Sequence, residues 1–242
     1  MTEDGREELL YGELKMRQPS ESEGLRVNMD TILLADFARP RSGERILELG
    51  CAHGAISLIL ARRGFKVEGA DIQPHLVEMA RDNAAFNGLS ELARFYEADL
   101  RDYRKNWQAQ TYDRIVVNPP YGELSTDCAS PSENRAAALH GSECSLEDVV
   151  AAAKYLLDNR GRLDLIMRAV RAAELIALLE RYNLAPKVLR PVYTKPGLDA
   201  AVVLIEAVRA GGKGLKIEAP LFVLDEDGKE TRDYLAAYRL RR

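Results

Sequence analysis

Through the middle of the chain, short apolar runs alternate with longer stretches of helical period. Residues 45–49 predict a strand and 55–63 a helix after it; 65–70 and 74–87 predict a second such pair. Pro74 suits a first helical turn, where its missing N–H costs nothing. Asn87-Gly88 has the chemistry of a left-handed cap. Residues 92–96 and 114–117 predict two more strands. Residues 146–157 predict a helix ending near Asn159-Arg160-Gly161, followed by a strand over 162–167 and a helix over 169–182. Two closing strands are expected over 187–193 and 200–208. Strand and helix alternating at this spacing imply a mostly parallel sheet covered on both faces, a doubly wound α/β fold. The stretch up to Met29 is polar and irregular, and the tail from Gly211 opens with Gly211-Gly212-Lys213-Gly214. The expected organisation is therefore a single domain over 1–242. It carries an N-terminal extension of about 1–28 and a C-terminal appendage of about 211–242. Residues 119–144 have little periodicity, and a connection this long is usually functional or disordered.

Composition narrows the class. Apolar residues make up 46% and charged residues 30% of the 242, which excludes a disordered or fibrous chain. Lys and Arg number 34 against 38 Asp and Glu, a net charge of −4, so this is not an indiscriminate polyanion binder. Net charge hides its distribution, however. Between Arg160 and Lys195 stand eight basic residues against three acidic, and between Arg232 and Arg242 four against one. These stretches could track phosphates; ordinary solvated faces explain them equally well. Cys51, Cys128 and Cys144 show no C-x-x-C spacing, so no zinc site or redox dithiol is expected and the thiols read as reduced. No apolar run reaches membrane length, and the acidic start is unlike a signal peptide. A cytoplasmic protein is expected.

The first chemical motif is Glu48-Leu49-Gly50-Cys51-Ala52-His53-Gly54, between the first strand and its helix. Glycines there let backbone approach a ligand, and a helix N-terminus offers free N–H groups. Asp71, followed by Ile72, stands at the end of the next strand, where a nucleotide-binding sheet carries the carboxylate that accepts from ribose hydroxyls. The G-x-G-x-x-G dinucleotide fingerprint is absent, which argues against a dehydrogenase. Glu48 would repel a pyrophosphate and welcome a cation.

The second motif is Asn118-Pro119-Pro120-Tyr121, directly after the strand at 114–117. Two prolines fix the backbone and remove two donors, leaving carbonyls to face the site. The Asn118 oxygen and a proline carbonyl can both accept from one amino group, and Tyr121 can stack on a planar base or amide. An amine held by two acceptors turns its lone pair toward an electrophile, so alignment does most of the work.

The loop E-L-G-x-x-x-G resembles the first motif of class I S-adenosylmethionine-dependent methyltransferases. That resemblance implies a seven-stranded, Rossmann-like sheet and S-adenosyl-L-methionine as cofactor. Asp99, in Glu97-Ala98-Asp99-Leu100, matches the place where an acid often faces the cofactor's adenine. N-P-P-Y resembles the amino-methylating branch, whose members modify adenine, guanine or glutamine nitrogens. Residues 25–38, the stretch Asn134-Arg135-Ala136-Ala137-Ala138-Leu139-His140, residues 215–221 and residues 234–238 resemble the tRNA(Val) adenine-N6 methyltransferase family. Two positions depart from its pattern: His53 in the glycine loop, and Leu139-His140-Gly141 where Arg-His-Glu is common. The resemblance implies methylation of an anticodon-loop adenine of tRNA. Glu48, Gly50, Gly54, Asp71, Ile72, Asp99, Leu100 and Asn118 would then hold the cofactor, and Asn118, Pro119 and Tyr121 the base. A protein-glutamine or rRNA-guanine methyltransferase, and a silent cofactor-binding module that chaperones RNA, remain open at this point.

Overall fold

A computed structural model describes residues 5–20, 24, 26–119 and 144–239. Its centre is a sheet built from β3 (Ile46–Leu49), β4 (Val67–Asp71), β5 (Ala93–Glu97), β6 (Tyr112–Val117), β7 (Leu157–Arg168), β8 (Leu184–Tyr193) and β9 (Ala200–Arg209). Their order across the sheet is β5-β4-β3-β6-β7-β9-β8. All run parallel except β9, which pairs antiparallel with both β7 and β8. The expected seven strands are thus present. Among the described residues the sheet itself has nine, because β10 (Lys216–Ile217) and β11 (Leu221–Phe222) pair parallel with β8. Two-residue strands have no period to read, which is why the sequence pattern passes over them.

Alternating side chains build two cores. Ile46, Val116, Ile166, Val202 and Leu204 point to one face, where they meet α1 (Met29–Phe37), α2 (Ala55–Arg62) and α3 (Pro74–Phe86). Their neighbours Leu47, Ile115, Val117, Leu165, Val203 and Ile205 point to the other face, toward α5 (Leu146–Leu156) and α6 (Ala172–Arg181). A short helix, α4 (Tyr103–Asn106), precedes β6, and α7 (Arg232–Ala237) closes the chain. Burial on both faces is what a parallel sheet requires, and it explains the near-continuous apolar runs.

Two expectations are corrected, the irregular N-terminal stretch and the turn near Asn159-Arg160-Gly161. The N-terminal stretch is not irregular: β1 (Glu7–Leu9) and β2 (Leu14–Met16) form a hairpin, and Leu14 and Met16 are fully buried in the first core. The C-terminal appendage adds Leu221, Tyr234 and Ala237 to that same core. Finally, β7 starts directly after α5, in place of the expected turn around Asn159-Arg160-Gly161. Arg160 has a φ of 66°, and the pairing with β6 shifts register between Tyr112 and Arg114. The turn residues are absorbed as a bulge within one long strand.

On the α1 face, Arg114 is fully buried in a group of charges. Its guanidinium pairs with Asp164, with Glu44 at 2.8 Å and with Glu206 at 3.5 Å, and also donates to the Arg39 carbonyl. These residues come from β6, β7, β9 and the segment before β3, so the cluster ties four pieces of chain together. Burial pushes the Asp164 carboxyl up to about 6, while the Arg114 charge restrains the rise. Breaking one partner of a buried pair costs more than replacing both. Arg114→Met should therefore lose about 3–5 kcal/mol of unfolding free energy, and combining it with Asp164→Leu should recover part of that, since Glu44 and Glu206 still lose the guanidinium. Urea unfolding of the three proteins checks this.

Candidate functional site

Parallel register sets the site. Leu49 pairs with Ala70 on one side and Val117 on the other, Asp71 pairs with Glu97, and Val117 with Leu165. The residues that follow these strands therefore line one edge of the sheet. They are Gly50 after β3, Ile72 after β4, Asp99 and Leu100 beyond β5, and Asn118-Pro119 after β6. Ligands of open α/β sheets bind at this carboxyl edge.

The Gly50–Gly54 loop is tied down from below. The N–H groups of Gly50 and Cys51 donate to the Ala70 carbonyl at 2.8 and 3.0 Å, and that of Gly54 donates to the Cys51 carbonyl. Gly50 (φ 71°), Ala52 (φ 45°) and Gly54 (φ 86°) all lie in the left-handed region. At Gly54 a side chain is excluded twice over, since a Cβ would also meet the Phe95 ring at 2.8 Å. At Gly50 a Cβ would meet nothing within 4 Å. Open space in front of bare backbone is what close approach of a ligand needs.

Asp71 is only 7% exposed. Its Oδ2 accepts from the Ala52 N–H at 2.8 Å and its Oδ1 from the Gln73 N–H at 3.0 Å. The predicted ribose acceptor thus also supports the loop, and each oxygen keeps a second lone pair for a ligand. Ile72, 41% exposed beside it, presents an apolar surface at the same edge. Asp99 is half-buried and held by Arg101, whose backbone N–H donates at 2.9 Å and whose guanidinium is bidentate. That contact lowers the Asp99 carboxyl below its usual value. Leu100 packs against the second core. Asn118 is half-buried and Pro119 buried. Tyr121, His140, Cys128 and the family-like stretch at 134–140 lie outside the described residues.

Glu48 sits deeper than the sequence suggests, at 3% exposure. Its Oε2 accepts from the Ser57 N–H at 2.8 Å and from the Ser57 hydroxyl. The carboxyl therefore occupies the first turn of α2, where a dinucleotide site would receive its phosphates. Sequence reasoning does not single out Asn83, which is fully buried on α3. The signal is present, because Leu76, Val77, Ala80, Asn83 and Ala84 form one buried stripe, and an asparagine in an apolar stripe must have a polar partner.

Among the described residues, no cluster of His, Cys, Asp and Glu is placed to hold a metal, and no helix is long and apolar enough to cross a membrane. A polar cavity of about 690 Å³, lined by Arg41, Glu44, Asp113, Arg160 and Lys187 among others, opens at the amino ends of the strands. It contains none of the expected site residues.

Comparison with known proteins agrees with the geometry. The sequence profile described as "Methyltransferase small domain" matches residues 26–180. A tRNA1(Val) (adenine(37)-N6)-methyltransferase of Aeromonas hydrophila is 30% identical over 87% of this chain and 87% of its own. A protein of the same description from Dickeya chrysanthemi is 28% identical over 89% and 87%. In fold, the crystal structure of a predicted O-methyltransferase from Agrobacterium tumefaciens superposes with a TM-score of 0.69 at 23% identity, covering 88% of this chain and 98% of that one.

The Glu48 environment makes a testable statement about pH. Burial pushes its carboxyl from 4.5 up to about 8, with the Ser57 hydrogen bonds opposing and the nearby Asp71 charge adding to the rise. The folded state then holds a proton that the unfolded chain has released, so this contribution to stability is present below 4.5 and is lost as pH rises toward about 8. Its slope is at most about 1.4 kcal/mol per pH unit. Glu48→Gln should flatten the decline in stability across that window, as followed by urea unfolding at several pH values.

Proposed function

The chain belongs to the methyltransferase small domain family and, within it, to the tRNA1(Val) adenine-N6 methyltransferases, and we propose that it methylates the exocyclic amine of a tRNA adenine using S-adenosyl-L-methionine. The adenine at position 37 is the one its relatives are named for. The observation that carries this reading is the register that sets Asn118-Pro119, at the end of β6, beside the glycine loop at the end of β3.

When bound, S-adenosyl-L-methionine supplies an electrophilic methyl group on a sulfonium. The residues present suit such a molecule. Asp71 accepts from ribose hydroxyls while holding the Ala52 N–H. Ile72 offers a surface for a flat base, with Asp99 and Leu100 completing that side. Gly50 leaves open space for the ligand and Gly54 turns the chain into α2. Glu48 places a carboxyl in the first turn of α2, where a pyrophosphate would otherwise be welcomed. On the other side, the Asn118 oxygen and the Pro119 carbonyl accept the two hydrogens of the target amine. Both acceptors are neutral, so the nitrogen lone pair is aligned without a strong base. The sequence motif assigns Tyr121 to stack on the base, which must leave its loop stack to reach the site. Transfer RNA is the partner, and the cytoplasm is where the two meet.

Incubation of tRNA with the enzyme and labelled cofactor, followed by nucleoside mass spectrometry, tests the reading: N6-methyladenosine is the expected product. Asn118→Ala should lower turnover by at least about 10²-fold, with cofactor affinity changed far less. Asp71→Ala should instead weaken cofactor binding, by about 1.5–3 kcal/mol for each charge-assisted hydrogen bond removed. Label found in guanine or in protein, or an unchanged rate in Asn118→Ala, would overturn it.

The structure also divides the basic residues of the second half. Arg168 ends β7, Arg171 follows it and Lys195 follows β8, at the carboxyl edge. Arg160 and Lys187 line the cavity at the opposite edge. Substituting Arg168 and Lys195 by Gln should raise KM for tRNA and reduce the slope of log affinity against log salt by about 0.7–0.9 for each phosphate no longer neutralised. The same change at Arg160 and Lys187 should leave the slope alone. The reverse result would place the RNA on the other edge.

A further inference from the structure

Asn83 makes three hydrogen bonds from a fully buried position. Its Oδ1 accepts from the Arg17 N–H at 2.8 Å, and its Nδ2 donates to the Arg17 carbonyl at 3.0 Å and the His53 carbonyl at 3.1 Å. The first two bonds copy the exchange between paired residues of an antiparallel ladder. Asn87, one turn on, repeats that exchange with Lys15, at 3.0 Å for Oδ1 and 2.8 Å for Nδ2. The two amides therefore cover the open edge of β2 as a third strand would. The third bond of Asn87 returns to its own helix, at the Asn83 carbonyl 2.7 Å away, whereas the third bond of Asn83 leaves it and reaches the glycine loop.

That loop needs holding. Ala52 carries a side chain at a φ of 45°, a conformation that persists only where its surroundings impose it. Asp71 secures the Ala52 N–H from the sheet side, and Asn83 secures the next carbonyl, that of His53, from the helix side. The His53 ring is buried, with Arg26 and Glu7 acting on it electrostatically.

We propose that Asn83 is a positioning residue for the cofactor, holding the glycine loop in its binding shape by locking it to the N-terminal hairpin. This rests on the reading of that loop as the S-adenosyl-L-methionine site. The hairpin is then part of the machinery that holds cofactor, though it touches none of the reacting atoms. Linkage is reciprocal, so bound cofactor tightens residues 14–17.

Calorimetry with S-adenosyl-L-methionine, steady-state kinetics and hydrogen exchange on the full chain test this. Asn83→Ala should weaken cofactor binding and raise its KM about tenfold or more, with KM for tRNA and kcat at saturating cofactor changed by less than about threefold. Asn87→Ala removes the Lys15 anchor but leaves the loop contact, so its cofactor KM should stay within about threefold of wild type. Adding cofactor should slow exchange at residues 14–17 in the wild type and not in Asn83→Ala. If the alanine variant fails to fold, Asn83→Ser, which keeps one donor, takes its place. A folded variant with wild-type cofactor affinity, or with both KM values raised alike, overturns the assignment. A wild-type chain that binds no cofactor removes the functional reading beneath it, which is a distinct result.

Discussion

A parallel strand buried on both faces has little freedom of register, because a slip of one residue would exchange its two cores. In β3, β4 and β6 that constraint fixes more than packing. Ile46 and Val116 must face α1 and α2 while Leu47, Ile115 and Val117 face α5, so the strand ends cannot drift. Gly50, Asp71 and Asn118 are thereby delivered to one edge in one order. The loops between them can differ in length and composition without moving these three points. The Arg114 group acts at the other end of the same strands and joins β6 to β7 and β9 by charge.

The second organising feature is the carboxyl on the helix. An N-terminus of eight helical residues with a glycine cap is a natural anion site. Here Glu48 fills its first turn from within the strand that precedes it. Phosphate is excluded by occupancy as well as by the missing glycines. The same burial that costs Glu48 its ordinary acidity removes a charge from the floor of the site. Two carboxyls nine-tenths buried or more, Glu48 and Asp71, are tolerated close together because they differ in depth and in donors.

Much of this is legible in the sequence, and the failures have physical causes. The glycine loop, Asp71 and Asn118-Pro119 are local patterns at strand ends, so spacing alone places them. Strand limits move by a few residues where backbone pairing outruns side-chain pattern, as at Tyr112 and Leu184. The bulge at 158–161 reads as a turn because Asn, Arg and Gly together suit one; pairing to β6 overrides them. The N-terminal hairpin escapes the pattern since three residues show no alternation. Its anchors, Asn83 and Asn87, are paired with residues 66 and 72 positions away. Nothing local encodes such a partner. The same holds for Arg114 and Asp164, which lie 50 positions apart.

Under the proposed function the chemistry is divided across the edge. On the side of β3, β4 and β5 the acceptors are carboxyls: Glu48, Asp71 and Asp99. On the β6 side they are an amide and a backbone carbonyl, Asn118 and Pro119. In that reading the cationic sulfonium lies beside the carboxyl oxygens and the amine beside the neutral pair. An amine that is to become a nucleophile does not gain from a strong acceptor that would hold its proton too early or bind its cationic product too tightly. Neutral acceptors on a proline-stiffened backbone align the amine and let it go. The two motifs therefore need different residue types, and the parallel register keeps them adjacent while leaving them on separate strands.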